Sequence, residues 1–515
     1  MEGMESRRVL CRSNVGGSVP VFIIAMMIAF PFRSATSLLL FLHRVPGRTG
    51  AQLPLVALLA LACFLAGCAA PDTRPTNAPL ALGNSSQAAG VSLQGDDTAI
   101  VLTFSGGGAR SAAFGYGVLS SLARTPSASR GRSLADDVVV VGGVSGGAML
   151  AAYFALHGPT GLPDFQRDFL ASNAEASLHT SFGPANLLRG YRGGVNDRNN
   201  LPPWLDANLY HGATLGMLDR PGRPRLVIHA TDLYNRTPFI FDRASFAAIC
   251  SNFNDYPLAY AVAASTAVPV AFAPISLRNY RSNCPPDAEA GIAMATKPTV
   301  KPVSLVEEQY QQSLDRYGHI GNLNFLKLYD GGLVDNIGSQ TLLHLMNREA
   351  PEPLPAENAR RIRHLLFVVV DASTRIGGNL SETTDSPYAM DTLVAATDAV
   401  INIPGFQSFD ELRRRLPSWA QKVVAWRCRE AAALASCRDL DVSIIRVALS
   451  DVEDPVTAHR ILGLHNTLTL KLADAIFLRN LGGALLARQP GYQRFLARLS
   501  TWQRPNYMRS AQGTD

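Results

Sequence analysis

Three short runs place reactive or anion-facing groups at glycine-rich turns. Gly143-Val144-Ser145-Gly146-Gly147 sets a serine in the spacing G-x-S-x-G, which carries a hydroxyl on a sharp strand-to-helix turn. Gly143 and Gly147 keep the flanks small so that strand and helix can approach, and the following helix aims its N-terminus at the hydroxyl. The chemistry open to such a serine is nucleophilic attack on an acyl carbon. A second run is Gly106-Gly107-Gly108-Ala109-Arg110. Consecutive glycines let backbone N–H groups converge on one point, as an oxyanion hole or a phosphate cradle requires. A dinucleotide loop needs G-x-G-x-x-G, and Ser111 stands where the third glycine belongs. An anion site is therefore expected, and a nucleotide site is not. The third run is Asp330-Gly331-Gly332, at the end of the apolar stretch LKLYD. Alone, Asp-Gly-Gly is ordinarily a turn. At the C-terminal edge of a strand in the sheet that carries Ser145, the carboxylate would lie where open α/β proteins place their sites.

The elements that must position these groups follow from pattern. VVVVGG before Ser145 is a continuously apolar strand of the kind buried on both faces, and AMLAAYFAL (148–156) continues as helix. TAIVLTF (98–104) leads into the triple glycine, and AAFGYGVLSSLAR (112–124) has helical spacing. Further strands are expected at 225–233, 239–242, 326–330, 364–373 and 442–449, with helical stretches between several of them. That alternation predicts an α/β three-layer sandwich with a mainly parallel central sheet. Residues 278–320 are polar and read as an insertion near one edge of the sheet, and 346–515 carries no chemical motif and reads as an α/β extension that completes or caps the domain. His229 and His364 fall in strand candidates and are expected to be satisfied core residues.

Composition narrows the class. Of 515 residues, 47% are hydrophobic and 17% charged, which allows a large core and excludes extensive disorder. The net charge of +6 is uneven: residues 1–67 hold six arginines against Glu2 and Glu5, leaving +2 for the rest. A near-neutral body behind a basic leader fits export better than nucleic-acid binding. Arg44 and Arg48 precede LPLVALLALACFLAG, which ends at Cys68, the order of a signal peptide. Leu65-Ala66-Gly67-Cys68 resembles a bacterial lipobox, which implies a lipidated Cys68 as the mature N-terminus. Ala69 after it favours the outer membrane of a Gram-negative cell, with the domain facing the periplasm; a membrane-anchored or secreted protein is the alternative. The earlier apolar run at 19–32 is too short and proline-bounded for a comfortable span, which points to a true start downstream of it, an extra anchor being the alternative. Residues 68–97 are rich in Pro, Ala, Asn and Ser and read as a flexible tether. Beyond Cys68 four cysteines remain, and sequence proximity suggests Cys250–Cys284 with Cys428–Cys437, one of three connectivities.

Taken together, the runs GGGAR, GVSGG and DGG, in that order, resemble the patatin-like phospholipase family over about residues 98–345. HATDLYNRTPFIF (229–241) and ASTAVPVAF (264–272), with Ser265, Pro269 and Phe272, are similar to it as well. One departure is Ser111, where the family usually has glycine. The resemblance implies that Ser145 is the nucleophile, Asp330 the base, and N–H groups of the Gly106–Gly108 loop the oxyanion hole, with Arg110 supporting the loop. It implies a serine lipid acyl hydrolase acting on membrane lipid through an acyl-serine intermediate; no metal-ligand cluster stands out in the sequence, so no cofactor, metal or calcium requirement is expected. Acyl transfer from the same intermediate, or an inactive lipid-binding surface lipoprotein, are the other readings the residues leave open. No histidine intervenes between serine and aspartate in this pattern, so the pair needs a dry site and strong oxyanion stabilisation.

Overall fold

The computed structural model describes residues 70–80 and 95–499, apart from 96, 182, 219, 221, 286–291, 293–295, 297–300, 303, 320–321, 349–359, 375–383, 385–388 and 431–436. The leader, Cys68 and the lipobox lie outside the described residues. The chain divides into two units: Met1–Ala70 with Gly183–Arg189, and Pro71–Phe182 with Gly190–Asp515. The second unit carries everything that follows.

Its centre is an eight-stranded sheet. The strands are β1 (Thr98–Phe104), β2 (Val138–Gly143), β3 (Arg225–Asp232), β4 (Thr237–Ile240), β5 (Ile275–Arg278), β6 (Phe325–Tyr329), β7 (His364–Asp371) and β8 (Asp441–Ala448). Their order is β5-β6-β3-β2-β1-β7-β8, with β4 paired to β3. The run β3-β2-β1-β7-β8 is parallel throughout. β4, β5 and β6 pair antiparallel, so the sheet is mixed, with a parallel centre and an antiparallel margin. β5 is the one strand that the pattern of the sequence did not foretell.

Alternation along the central strands builds three layers. Ile100, Leu102 and Phe104 of β1, with Leu366, Val368 and Val370 of β7, join one core. That core includes helices α1 (Gly108–Arg124), α2 (Gly146–His157), α3 (Leu258–Ser265) and, late in the chain, Leu478 and Leu486. Ala99, Val101, Leu365 and Phe367 point the other way, into a second core with Leu342, Leu343, Leu412 and Leu416. Both faces are therefore covered, which explains why these strands read as unbroken apolar runs.

The helices of the second core are α5 (Ser339–Arg348) and the 42-residue α6 (Ala389–Glu430); α4 (Leu305–His319) precedes them. Late in the chain follow α7 (Pro455–Leu462) and α8 (Leu472–Arg488), and residues 490–499 are helical as well. Helices α1 and α8 cross closely: a Cβ on Gly117 would lie 1.9 Å from the Arg479 carbonyl oxygen, and one on Gly482 2.2 Å from that of Phe114. No helix among the described residues is long and apolar enough to cross a membrane.

Residues 71–80 differ from the expected flexible tether. Asn77 is buried, donates to Ser251 Oγ and the Arg278 carbonyl, and accepts from the Arg278 N–H. The N–H groups of Thr76 and Leu80 bond the carbonyls of Ser276 and Cys250. Composition could not show this, because the strap is held by one asparagine and by backbone groups whose partners lie far away in sequence. Both disulfides form as proximity suggested, Cys250–Cys284 and Cys428–Cys437, with Cα separations of 5.7 and 5.0 Å.

Candidate active site

Parallel pairing of β1 and β2, with Phe104 opposite Gly143, brings the two glycine-rich turns side by side at one edge of the sheet. Ser145 sits between β2 and α2 at φ 53° and ψ −122°, a region that non-glycine residues occupy at a cost of about 1–3 kcal/mol. Packing enforces it. A Cβ on Gly143 would lie 2.3 Å from the Gly147 carbonyl oxygen, and one on Gly147 2.5 Å from that of Ser105. One on Gly146 would meet the Gly108 carbonyl oxygen at 1.9 Å. The elbow is thus pressed against the glycine loop, and side chains there would force the two apart. The Ser145 N–H is tied to Ser265 Oγ at 3.0 Å, a partner from the ASTAVPVAF run.

Asp330 reaches the serine from an unexpected direction. It follows the C-terminal end of its strand, in the sheet that leads to Ser145, but β6 runs antiparallel to β3, with Thr231 opposite Tyr329. The chain therefore descends from outside the edge and delivers the carboxylate inward. Its backbone is fixed on three sides: Asp330 N–H to Ala267, Gly331 N–H to the Ser265 carbonyl, and Thr231 Oγ1 to the Asp330 carbonyl at 2.7 Å. Gly332 N–H donates to Asp330 Oδ1 at 2.8 Å. Ser145 and Asp330 are each only 4% exposed. Burial pushes the Asp330 carboxyl up to about 6, while the Gly332 N–H and a hydrogen bond from Ser145 pull against that rise. A carboxylate destabilised in this way is a stronger base than one in water.

The glycine loop sorts its own donors. The Gly106 N–H is taken by the Asn336 carbonyl at 2.9 Å, so this residue, expected in the anion hole, serves as an anchor instead. Gly107 and Gly108 adopt φ 130° and 58°, conformations that suit glycine. Among the described residues, no acceptor bonds their N–H groups. A Cβ on Gly106 would lie 3.5 Å from the Ser145 Cβ, so the loop borders the hydroxyl. Arg110 is 7% exposed and spans two carbonyls, Ala372 through Nε at 3.1 Å and Leu464 through a terminal nitrogen at 2.7 Å. Its guanidinium thus ties the start of α1 to two later segments of the chain. Ser111, at the position where glycine is usual, donates to the Ser105 carbonyl at 2.5 Å and so adds a tether to the turn.

Several contributors had no site role in the sequence reading. His229 is a buried strand residue with both ring nitrogens engaged, one with the Gly331 carbonyl and one with Thr341 Oγ1, so a core histidine braces the aspartate loop. Burial holds its pKa below the usual range. His364 opens β7 opposite Thr98, at the far end of the sheet from Ser145. Asn336 and the carbonyls of Ala372, Leu464 and Thr467 had no signal at all.

Residues 102–343 match the family model of patatin-like phospholipases. No curated protein matches. Among solved structures the chain is similar to human GIVD cytosolic phospholipase A2 in complex with methyl gamma-linolenyl fluorophosphonate, at TM-score 0.34 and 12% identity over 80% of this chain and 60% of that one. A second structure of human GIVD cytosolic phospholipase A2 gives TM-score 0.33 and 11% identity over 80% and 63%. The chain thus spans about three fifths of the length of those structures.

Proposed function

We propose that the chain, whose residues 102–343 match the patatin-like phospholipase model, is a serine hydrolase of lipid acyl esters, with Ser145 as nucleophile and Asp330 as its base. The observation that carries this reading is the meeting of three features: a hydroxyl held at a strained elbow, a buried carboxyl with a raised pKa, and two N–H groups beside them that no acceptor among the described residues takes. Asp330 accepts the Ser145 proton as Oγ attacks the ester carbonyl. The developing oxyanion takes the N–H groups of Gly107 and Gly108. Collapse expels the alcohol, which receives the proton from Asp330 and leaves an acyl-serine. Water deprotonated by Asp330 then attacks the acyl group and restores the serine.

The lipid class of substrate is supported by the surroundings of the site. Val400 and Ile403 are each 56% exposed on α6, beside Ile401, whose Cγ2 would lie 3.4 Å from a Cβ on Gly332. Val270 is 54% exposed on the loop whose Ala267 carbonyl holds Asp330. Exposed apolar side chains near a buried ester-cleaving centre suit an acyl-chain substrate. Anchoring through a lipidated Cys68 to an outer membrane belongs to the same proposal, and two disulfides fit an oxidising compartment.

The test uses the purified full chain with a panel of phospholipids, lysophospholipids and neutral lipids, and a fluorophosphonate probe. Ser145→Ala is expected to abolish labelling and to lower hydrolysis by about 10⁴-fold or more. Asp330→Asn should lower hydrolysis comparably, and both should keep the wild-type circular dichroism. In the wild type, kcat/KM should rise with pH through about 6 as Asp330 ionises. Undiminished hydrolysis in Ser145→Ala would remove the assignment.

A further inference from the structure

Three glycines in a row are the most conformationally free segment a chain can contain, yet an anion hole works only if its donors are fixed before charge develops. Something outside the loop must fix them. Gly107 φ 130° and Gly108 φ 58° are not self-enforcing, because glycine has other wells of similar energy.

The clamp is one side chain. Asn336 lies six residues after Asp330, in the turn that follows the aspartate, and is 5% exposed. Its backbone carbonyl accepts the Gly106 N–H at 2.9 Å, and its Oδ1 accepts the same N–H at 3.2 Å. Its Nδ2 donates to Asn402 Oδ1 at 3.0 Å and to Ser373 Oγ at 3.2 Å. A Cβ on Gly106 would fall 2.3 Å from Asn336 Oδ1, so the amide occupies the space that glycine leaves open. The next peptide plane is held from the other side: Ser105 Oγ donates to the Gly106 carbonyl at 3.0 Å and itself accepts the Ala372 N–H at 2.8 Å. With both planes around Gly106 fixed, the Gly107 N–H has a set direction.

We propose that Asn336 is a positioning residue for the anion hole, aligning the Gly107 and Gly108 donors through Gly106 and tying that alignment to helix α6 through Asn402. This rests on the hydrolase reading above and deepens it. The chemistry requires an amide: one end must accept from an N–H while the other donates to two oxygens, which neither a carboxylate nor an aliphatic group can do. A turn that carries both base and clamp also keeps Asp330 and the donors in one rigid relation. A Cβ on Gly332 would lie 2.9 Å from Asn336 Oδ1 and 3.0 Å from Asp330 Oδ1, so the two side chains flank the same point.

The experiment measures steady-state hydrolysis and the rate of fluorophosphonate labelling for the full chain, Asn336→Ala, Asn336→Asp and Asn402→Ala. Asn336→Ala should lose about 30-fold in kcat with KM within about twofold, a loss below that of deleting a donor outright. Labelling should slow by a similar factor, because the phosphonyl oxygen uses the same donors. Asn336→Asp should lose more, and the acid limb of its pH profile should move upward, since a second carboxylate beside Asp330 opposes ionisation. Asn402→Ala should lose about threefold, again in kcat. If Asn336→Ala keeps both rates within twofold, or loses only in KM, the proposal is wrong. An unmoved acid limb in Asn336→Asp, or wild-type kinetics in Asn402→Ala, would also overturn it, and the second holds even should Asn336→Ala not fold. A wild-type chain that fails to label at all would sink the hydrolase reading itself, and this proposal with it.

Discussion

Residues 98–348 and residues 360–499 meet at the same centre with different kinds of group. The first stretch brings side chains: the Ser145 hydroxyl, the Asp330 carboxyl, the Arg110 guanidinium and the Asn336 amide. The second brings chiefly backbone. Val370 accepts the Ser105 N–H, Ala372 and Leu464 accept Arg110, and Thr467 accepts the Ala109 N–H at 2.7 Å. A Cβ on Gly108 would lie 2.2 Å from the Thr467 carbonyl oxygen, so this late segment also shapes the glycine loop. Reactive groups and the frame that fixes them are thus coded at opposite ends of the chain, and the match at 102–343 covers only the first.

The strongest way to break that contrast is to remove the frame. β7 lies between β1 and β8, and pairs with every residue of β1 from Thr98 to Phe104. A chain ended after Arg348 would expose an apolar central strand on one edge and both cores at once. It is expected to be insoluble or to lack a cooperative unfolding transition, as judged by calorimetry of the refolded fragment. A soluble fragment that labels with fluorophosphonate would show that 98–348 is self-sufficient, and the division drawn here would be wrong.

The same contrast explains what could be read beforehand. The three runs around Ser145, Gly107 and Asp330 were legible because their chemistry demands particular residue types at fixed spacing. Strands such as VVVVGG were legible because burial on both faces leaves an unbroken apolar run. β5 was missed because ISLR is four residues long and ends in an exposed arginine. The antiparallel course of β6 was missed because direction leaves no trace in a five-residue strand. Ala372, Leu464 and Thr467 act through carbonyls, which all residues share, so no pattern could single them out. Asn336 had a type that mattered, but no partner nearby in sequence to suggest it.

Arg110 sharpens the comparison, since it is a motif side chain with bonds that reach into the frame, at Ala372 and Leu464. Arg110→Met would leave both carbonyls without this buried donor, at about 1.5–3 kcal/mol for each bond to a charged group. Arg110→Lys should recover little, because a single ammonium does not reproduce the spacing of the guanidinium fork. Both variants are expected to lower the thermal midpoint and kcat together. A loss of kcat at unchanged stability would instead place the guanidinium on the substrate.

The smallest expected effect runs in the opposite direction, toward greater stability. Asp330 is buried, and its carboxyl in the fold titrates near 6, above the unfolded value of about 3.9. Below about pH 3 both states carry the proton, and near pH 4 the residue costs only a few tenths of a kcal/mol. Between about 4 and 6 the unfolded chain ionises first, so stability falls as pH rises, and above 6 the whole penalty is present. Two pKa units set an upper bound of about 3 kcal/mol. Asn at this position accepts the Gly332 N–H as Asp does, but carries no charge to desolvate. Asp330→Asn should therefore match the wild type at pH 4 and unfold a few degrees higher at pH 8. The measurement is calorimetry of both proteins across that range, so that other titrating groups cancel in the difference. A variant equally or less stable at pH 8, with no change from its gap at pH 4, would mean that the carboxylate is solvated in the fold. The dry site on which direct serine–aspartate proton transfer depends would then be missing.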